Sequence, residues 1–390
     1  MIKDTSLNFD NIPIELMSLL ETIEMDTDAG SLSFSPDFNW EQFMELAKHH
    51  RLYPQLFSKI KDLNSSIPPE VYKSLQQLYQ RNTLHMLHLT GEMNRVSQLF
   101  YHHQVKTIFL KGPILGKELY GDISMRTSGD LDVLVPLQNI ETVDSLLTKE
   151  GYVKDDYFST VLNDWKWRHH HVTYFHPQKQ IKLEIHWRLS PGPGIEPSFT
   201  DLWNRKRQSS ISTVPIYMLG KEDLFMFLIS HGARHGWSRL RWLADIHRLV
   251  LQGQDWNRLY SILRKYEMLH LTGQALLLSS NLFHTPLNQE MKDCAGKQEA
   301  VRLANKTIFY FERLVNLHTE PLPPEVSTYH QSYLYSMKSF KQKIIFILSF
   351  LHPYPEDAET LPLPKSLHYL YFPLRPALWF WRKAKKQAVL

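Results

Sequence analysis

Two aspartates in the segment MRTSGDLDVLV (125–135) are separated by one residue and open an apolar run. In an extended strand, side chains alternate between two faces, so Asp130 and Asp132 point to the same side. Two carboxylates held this close repel each other unless a cation lies between them, and divalent metals with oxygen ligands meet that need. The spacing therefore predicts a site for Mg²⁺ or a similar ion.

A third acidic residue stands in a later segment that also has the pattern of a strand. Glu184 is the only acid in IKLEIHW (181–187), which is otherwise largely apolar. Three carboxylates from two strands can hold two Mg²⁺ ions, one on a triphosphate and one on an attacking oxygen. Such a site performs phosphoryl or nucleotidyl transfer. The simpler alternative, acids that face solvent without a metal, stays open for all three residues.

Histidines near these acids also deserve a metal interpretation. His186 lies two residues beyond Glu184 and on the same face, where it would orient the carboxylate or contact a substrate. The run HHH (169–171) is disfavoured as a single metal site because consecutive residues of a strand cannot all face one ion.

Hydrophobic periodicity predicts the elements that position these residues. Residues 1–103 have apolar residues at helical spacings and are predicted to form an N-terminal helical region of about four helices. Residues 104–200 are predicted to form an α/β core, and residues 201–390 a C-terminal helical region. The predicted fold class is α+β, with a small mixed sheet between N-terminal and C-terminal helical segments.

Five runs in the core are predicted strands, and the last two form a hairpin across PQKQ (177–180). They are VKTIFL (105–110), DLDVLVP (130–136), YVKDD (152–156), HVTYFHP (171–177) and IKLEIHW (181–187). Between them, GPILGKELYG (112–121) is predicted to be a turn and a short helix. The run LQNIETVDSLLTKEG (137–151) is predicted to be an amphipathic helix that ends at Gly151.

Composition narrows the class of protein. The 390 residues are 43% hydrophobic and 22% charged, which suits a globular chain with a sizeable core. The net charge of +4 fits anionic substrates but is low for a protein that coats a polyanion. The single cysteine, Cys294, excludes an intramolecular disulfide and a thiolate metal site.

The expected location follows from three features of the sequence. Usage of one cysteine indicates a reducing compartment. The N-terminal residues lack the pattern of a secretory signal, and the longest apolar run, IIFILSFL (344–351), is too short for a transmembrane segment. A soluble, cytoplasmic protein is therefore expected.

Several motifs taken together resemble the uncharacterised nucleotidyltransferase family of the DNA polymerase beta-type superfamily. They are FLKG (109–112), LYGDISMRTSGDLDVLV (119–135), LEIHW (183–187) and LISHGARHGWSRLRWLADIHRLV (228–250). The resemblance implies that Asp130 and Asp132 are the metal-binding pair of the superfamily. Glu184 falls where the third carboxylate is expected, and there it would complete the catalytic metal site and accept the proton of the attacking group.

The activity that the resemblance implies is metal-dependent transfer of a nucleoside monophosphate from a nucleoside triphosphate, with pyrophosphate released. Two Mg²⁺ ions are the expected cofactors, and ATP is the expected donor. The acceptor is a hydroxyl or phosphate of unknown identity. A natural-product peptide or another small molecule is favoured over nucleic acid, because a dense basic stripe and a stacking motif are lacking.

Two other functions stay open at this point. One is kinase-like phosphoryl transfer at the same site, with attack on the γ-phosphorus. The other is a catalytically inactive fold that binds a nucleotide or a partner protein.

The turn before the metal-binding strand departs from the pattern of the superfamily, which has a Gly-Ser turn that holds the triphosphate. Here the turn reads Lys111, Gly112 and Pro113, and Pro113 offers neither an amide hydrogen nor a hydroxyl. Lys111 would compensate as a point charge on a phosphate, or would be a solvated lysine at a strand end. Gly112 keeps the close approach of the backbone.

Arg126 and Ser128 precede the aspartate pair in a segment that resembles a turn. Arg126 would contact a β- or γ-phosphate in a bidentate manner, or would form a structural ion pair. Ser128 would supply the missing hydroxyl, and Gly129 an amide.

The run HGARHGW (231–237) places His231, Arg234 and His235 on one face of a helix. A triphosphate or the leaving pyrophosphate would bind against this face. The alternative is a helix that packs its histidines against the sheet. Farther along, Arg239, Arg241 and Asp245 are expected in surface or interdomain ion pairs.

The C-terminal run RPALWFWRKAKKQ (375–387) combines aromatic and basic residues. Such a tail contacts an anionic membrane surface or a partner, or packs its aromatic rings on its own domain. Packing on its own domain is the favoured prediction.

Overall fold

The structure is a computed structural model that describes residues 7–24, 34–61, 67–155 and 161–387, with side chains up to residue 384. Within these ranges the elements are helical at first, then mixed, then helical again. This order agrees with the fold class predicted from the sequence.

Four helices precede the sheet in the described residues. They are α1 (Ile14–Glu24), α2 (Trp40–His49), α3 (Tyr53–Ile60) and α4 (Pro69–His102). Asn39 caps α2, because its side chain accepts a hydrogen bond from the amide of Gln42 (3.0 Å). At 34 residues, α4 is about 50 Å long and reaches across the molecule to the sheet.

The sheet has seven strands among the described residues. They are β1 (Ile108–Phe109), β2 (Leu131–Leu134), β3 (Val153–Lys154), β4 (His171–His176), β5 (Ile181–His186), β6 (Arg207–Gln208) and β7 (Tyr217–Met218). Their spatial order is β3-β4-β5-β2-β1-β7-β6. Strands β2 and β5 pair in parallel, as do β1 and β7, and the other neighbours are antiparallel. The predicted mixed sheet and the β4–β5 hairpin are confirmed.

Four helices are inserted among the strands: α5 (Pro113–Tyr120), α6 (Ile140–Lys149), α7 (Trp165–Arg168) and α8 (Phe199–Arg205). One face of the sheet is apolar at Leu131, Val133 and Leu183, all of them buried. On that face Tyr174 donates a hydrogen bond to Asp144 of α6 (2.6 Å). The acidic residues of β2 and β5 project from the opposite face.

Strands β6 and β7 follow residue 200, so the sheet extends beyond the range predicted for the core. The sequence interpretation missed them because two residues are too few for a recognisable alternation. The division into regions 1–103, 104–200 and 201–390 stays a prediction.

A buried carboxylate fastens α4 to the edge of the sheet. Glu92 accepts hydrogen bonds from Arg95 (3.0 Å), from Lys179 in the β4–β5 turn (3.0 Å) and from the hydroxyl of Tyr152. Burial alone would raise the pKa of Glu92, but these three donors lower it to about 2. Together with Glu150, which pairs with Arg95, these residues form the Glu92 cluster.

The C-terminal part is helical in the described residues. Its helices are α9 (Lys221–Arg234), α10 (Arg241–Leu251), α11 (Trp256–Lys265), α12 (Leu269–Phe283), α13 (Gln289–Ala295), α14 (Gln298–Glu312), α15 (Pro324–Ser336), α16 (Phe340–Ser349), α17 (Pro355–Thr360) and α18 (Tyr371–Gln387). Helix α12 is the most buried of them and packs against α9, α10 and α14. Among the described helices, none combines the length and apolar character that a bilayer crossing requires.

The C-terminal tail packs on the rest of the chain through only part of its apolar surface. Tyr371 and Leu378 of α18 are buried in a small cluster with Val161. Three other aromatic side chains of α18 are 45–67% exposed: Trp379, Phe380 and Trp381. The favoured prediction of packing is therefore wrong for these three rings.

Candidate active site

The three predicted carboxylates lie on one face of the sheet. Parallel pairing of β2 with β5 places Asp132 directly beside Glu184, and Asp130 lies two residues before Asp132 on the same face. Asp132 is fully buried, whereas the side chains of Glu184 and Asp130 are 13% and 28% exposed. The carboxylate cluster therefore runs from the interior at Asp132 to solvent at Asp130.

Two basic side chains contact Asp132 at the buried end. The Nζ of Lys111 lies 2.9 Å from Oδ1 of Asp132, and Nε2 of His186 donates to the same oxygen at 3.1 Å. Burial disfavours the charged form of Asp132, but Lys111 and His186 outweigh this effect and lower its pKa. His186 also lies 3.4 Å from Glu184, and the two acids raise the pKa of its imidazole in spite of burial.

Lys182 balances the outer two acids, and the sequence interpretation missed it. Its Nζ donates to Glu184 Oε1 (2.6 Å) and lies 3.9 Å from Asp130 Oδ2. Burial would raise the pKa of Glu184, but His186, His171 and Lys182 hold it well below the usual range. Burial and the charge of Asp132 raise the pKa of Asp130 to about 6. The signal was available, because Lys182 precedes Glu184 by two residues on the same face.

The geometry of the cluster fits a divalent cation. Oδ2 of Asp132 is buried and has no hydrogen-bond partner among the described residues. One ligand atom each of Asp132, Glu184 and His186 lie within 4.8 Å of one another. The two carboxylates are ligands that Mg²⁺ or Mn²⁺ accepts, whereas an imidazole is more typical of Zn²⁺ sites, and here Nε2 of His186 donates to Asp132. This group contains His186 in place of Asp130, which lies at the exposed end of the cluster.

Two histidines of the HHH run extend the cluster along β4. The antiparallel pairing places His171 beside His186, and Nδ1 of His171 lies 3.2 Å from Nε2 of His170. One ring nitrogen of each of the three histidines falls within the same 4.8 Å limit. Burial lowers the pKa of His171 to about 4, so its imidazole is neutral at pH 7. The sequence interpretation, which disfavoured the HHH run as a metal site, overlooked that His170 and His171 meet His186 on the neighbouring strand β5.

The turn after β1 holds the backbone close to β2, the strand that carries Asp132. Gly112 has a φ of 87°, a region that favours glycine, and it directly precedes α5. A Cβ at this position would lie 3.4 Å from the Leu131 side chain and 3.5 Å from the carbonyl oxygen of Asp130. The backbone at Gly112 therefore lies against the start of β2, and the turn carries Lys111 into the cluster.

Ser128 stabilises the backbone at the start of β2. Its hydroxyl donates to the carbonyl oxygen of Asp130 (3.0 Å). The backbone carbonyl oxygen of Ser128 lies 3.0 Å from Nε2 of His85 in α4 and forms a hydrogen bond with it. Ser128 is half-buried, so its hydroxyl lies beside the carboxylate cluster but is engaged with the chain itself.

Arg126 lies in a buried ion pair and not at the surface of the cluster. Its Nε and Nη2 contact Asp245 of α10 at 3.0 Å, and the guanidinium is 2% exposed. Tyr120 donates a third hydrogen bond to Asp245 (3.0 Å). The predicted phosphate contact would require this pair to break, so the structure supports the ion-pair alternative for Arg126. Asp245 is buried, which corrects the expectation of a surface pair, and the pair joins the predicted core region to the predicted C-terminal region, as the interdomain alternative expects.

The helix α9 brings three predicted residues towards the cluster. The rings of His231 and His235 lie 4.7 Å apart and both contact Trp242, so packing accounts for part of their environment. Burial lowers the pKa of each ring, and the charge of Lys111 lowers it further.

Arg234 is the residue of α9 with an unsatisfied donor. Burial lowers its pKa to about 10 even though the charges of Glu184 and Asp132 raise it. Its Nη1 is buried and has no hydrogen-bond partner among the described residues. The guanidinium also lines a cavity of about 210 Å³ together with Glu196 and Lys338. Nη1 of Arg234 can therefore donate a hydrogen bond to an anionic group of a ligand.

Comparison with known proteins places this geometry in a family. The model of a family described as uncharacterised nucleotidyltransferase matches residues 36–284, from just before α2 to the end of α12. No curated protein matches the chain. The match spans well over half of the 390 residues and includes the whole sheet and the carboxylate cluster. The chain therefore belongs to the uncharacterised nucleotidyltransferase family.

Proposed function

We propose that the chain is a metal-dependent nucleotidyltransferase that moves a nucleoside monophosphate from a nucleoside triphosphate to an acceptor hydroxyl or phosphate. The observation that carries the proposal is the in-register pairing of Asp132 with Glu184, with Asp130 on the same face. Three acids meet two lysines and the imidazole of His186 there, and Oδ2 of Asp132 has no hydrogen-bond partner among the described residues, so the cluster still offers a cation an unsatisfied carboxylate oxygen.

Asp130, Asp132 and Glu184 are the proposed metal ligands, and two Mg²⁺ ions are the proposed cofactors. Ions bound there would neutralise the triphosphate and activate the attacking oxygen. The low pKa of Glu184 favours its role as a ligand over the predicted role as proton acceptor. His186 contacts two of the acids and is the proposed positioning residue.

The proposed phosphate contacts come from two sides of the cluster. Lys111 can exchange its bond to Asp132 for one to a phosphate oxygen, with Gly112 next to it on the same turn and Ser128 near Gly112 at the start of β2. His231, Arg234 and His235 approach from α9. Arg126 holds the segment before β2 through Asp245 and acts on the phosphates only through that segment.

In the proposed reaction an acceptor oxygen forms a bond to the α-phosphorus. The bond from the α-phosphorus to the bridging oxygen breaks, and pyrophosphate leaves with the electron pair. A proton from an acceptor hydroxyl leaves to solvent at the exposed end of the cluster, near Asp130. Positioning and charge neutralisation account for most of the rate in such transfers.

ATP is the proposed donor, and the cytoplasm, which supplies ATP and Mg²⁺, is the proposed compartment. A natural-product peptide or another small molecule is the proposed acceptor. The net charge of +4 on 390 residues supports a small acceptor over a long nucleic acid.

The first test is thermal-shift binding of the four nucleoside triphosphates, each with and without MgCl₂. We expect a rise in melting temperature that requires the metal and is lost in the double variant Asp130→Asn, Asp132→Asn. Asp293→Asn, a change of an exposed acid outside the matched family range, is the control and should behave like wild type.

Product analysis with labelled ATP then distinguishes the chemistries. Pyrophosphate with label from the α-position on the acceptor supports nucleotidyl transfer, whereas ADP with label from the γ-position would show a kinase. No shift with any nucleotide, and no turnover with the screened acceptors, would favour an inactive fold.

A further inference from the structure

Helix α16 presents a continuous apolar stripe to solvent. Four residues of α16 and one in the turn just after it have helical spacing and are 43–78% exposed: Phe340, Ile344, Ile347, Leu348 and Leu351. A helix of a globular domain normally turns such a stripe towards the core, and single exposed apolar residues need no explanation. A stripe of five does need one.

Helix α18 has two faces of different character. The inward face carries Tyr371, Arg375, Leu378 and Arg382, and both arginines contact Asp357 of α17 at 2.6 Å. The outward face carries Phe372, Trp379 and Phe380, which are 45–64% exposed. Because the inward face is fully engaged with α17, the exposure of the outward rings is a property of the docked helix.

The two apolar faces form one surface. A cavity of about 400 Å³ lies between α16 and α18 and is lined by Phe350, Leu351, Phe372, Trp379 and Phe380. The apolar surface formed by α16 and α18 therefore continues from Phe340 to Phe380. It lies entirely outside residues 36–284, the range shared with the family.

Basic residues accompany this surface. The segments 338–352 and 361–390 contain no Asp or Glu, and besides the two inward arginines they contain seven lysines: Lys338, Lys341, Lys343, Lys365, Lys383, Lys385 and Lys386. Lys383 lies 5.1 Å from the centre of the Trp379 ring. Aromatic rings bordered by lysines, on a helix with a separate apolar face, are typical of helices that lie in the headgroup region of a membrane.

We propose that α16 and α18 form a peripheral binding site for an anionic lipid surface. The apolar rings enter the boundary between headgroups and acyl chains, and the lysines pair with lipid phosphates. A second copy of the chain is disfavoured, since two such surfaces would oppose like charges. A partner protein is disfavoured because lysine is depleted in protein interfaces. The site would hold the catalytic domain at a membrane, so that a membrane-associated acceptor would reach it.

The test is flotation of the full chain with vesicles of phosphatidylcholine alone and of phosphatidylcholine with 30% phosphatidylglycerol. We expect binding to the anionic vesicles that is at least about tenfold stronger than to the neutral ones and that weakens as NaCl is raised. The double variant Trp379→Asp, Phe380→Asp should lose about tenfold or more in affinity. A matched control, Leu84→Asp with Leu87→Asp, changes two exposed leucines of α4 (69% and 54%) and should bind as wild type does.

A charge variant, Lys343→Glu with Lys383→Glu, tests the second component without touching the apolar rings. It should lose the preference for anionic vesicles while keeping the melting temperature of wild type. Equal binding by all variants, or no binding to either vesicle, would overturn the proposal. A dimer that forms in solution and is abolished by the Trp379 and Phe380 changes would also overturn it, in favour of self-association. Nucleotide binding is measured in parallel, so failure of the lipid site is distinguishable from failure of the proposed function.

Discussion

The carboxylate cluster and the Glu92 cluster use the same residue types but balance their charges differently. In the Glu92 cluster, two acids meet Arg95 and Lys179, and the pKa of Glu92 falls to about 2. In the carboxylate cluster, three acids meet two lysines and the imidazole of His186, yet burial and the charge of Asp132 still raise the pKa of Asp130 to about 6. The first arrangement is electrostatically complete, whereas the second gains from an added cation. Charge balance therefore distinguishes a structural cluster from a candidate active site.

The largest effect is expected for activity at the carboxylate cluster. Asp132→Asn should reduce turnover by about a thousandfold or more, because the buried carboxylate is central to the proposed metal site. The far-UV circular dichroism spectrum should stay that of wild type. Turnover is measured as pyrophosphate release with ATP and Mg²⁺, with Asp293→Asn as the control. A wild-type rate for Asp132→Asn would rule out the proposed metal site.

The next largest effect is expected for stability, at the buried ion pair of Arg126 and Asp245, in which each charge has its counterion. Asp245→Asn should lower the free energy of unfolding by about 3 kcal/mol or more, because it leaves a buried guanidinium without its counterion. The exposed pair of Arg313 and Glu325 supplies the control, and Arg313→Met should cost less than about 1 kcal/mol. Urea unfolding measures both. Equal costs would contradict the distinction between buried and exposed pairs.

The Glu92 cluster should show its balance in the pH dependence of stability. The folded pKa of Glu92 is depressed from 4.5 to about 2, so its stabilising contribution is present above pH 4.5 and is lost as the pH falls towards 2. Its size is about 2–3 kcal/mol. Glu92→Gln should therefore be less stable than wild type at pH 7, and the gap should close between pH 4.5 and 2. A gap that stays constant in urea titrations would refute this assignment.

The smallest effect is expected for Asp130, whose replacement should increase the free energy of unfolding, whereas replacement of Glu92 should decrease it. The pKa of Asp130 is raised from 3.8 to about 6, so its charge destabilises the metal-free fold above pH 6, and this penalty disappears as the pH falls through 6 towards 3.8. Asp130→Asn should raise the free energy of unfolding at pH 7.5 by about 1–2 kcal/mol in EDTA. The gain should vanish near pH 4. A loss of stability at pH 7.5 would show that the acids of the carboxylate cluster do not repel each other.

The parts of the structure that sequence predicted are those with a local signal. Alternation of side chains along a strand correctly predicted that Asp130 and Asp132 share one face. The turn PQKQ correctly predicted the β4–β5 hairpin. The roles of neighbours across strands needed the register. Lys182 and His186 share the face of Glu184 by local alternation, but His186 meets Asp132, and His171 meets His186, only because β2, β5 and β4 pair in this alignment.

The parts that sequence did not predict depend on contacts between distant residues. Arg126 pairs with Asp245, which lies 119 residues away, and a single sequence carries no signal for that pairing. The rings of α18 read equally well as a buried or an exposed face, because amphipathic spacing does not specify what covers the apolar side. The bonds of Arg375 and Arg382 to Asp357 fix which face of α18 is turned inward and leave the opposite face exposed.

The parallel pairing of β2 with β5 also has a consequence for folding. His186 and Asp132 are 54 residues apart in the chain, so their contact closes a long loop and forms late relative to the local β4–β5 hairpin. A slip of one residue in this pairing would turn Glu184 to the apolar face and leave Asp132 without its neighbour. The capacity to bind a cation would then appear at the end of folding and only in molecules with the correct register.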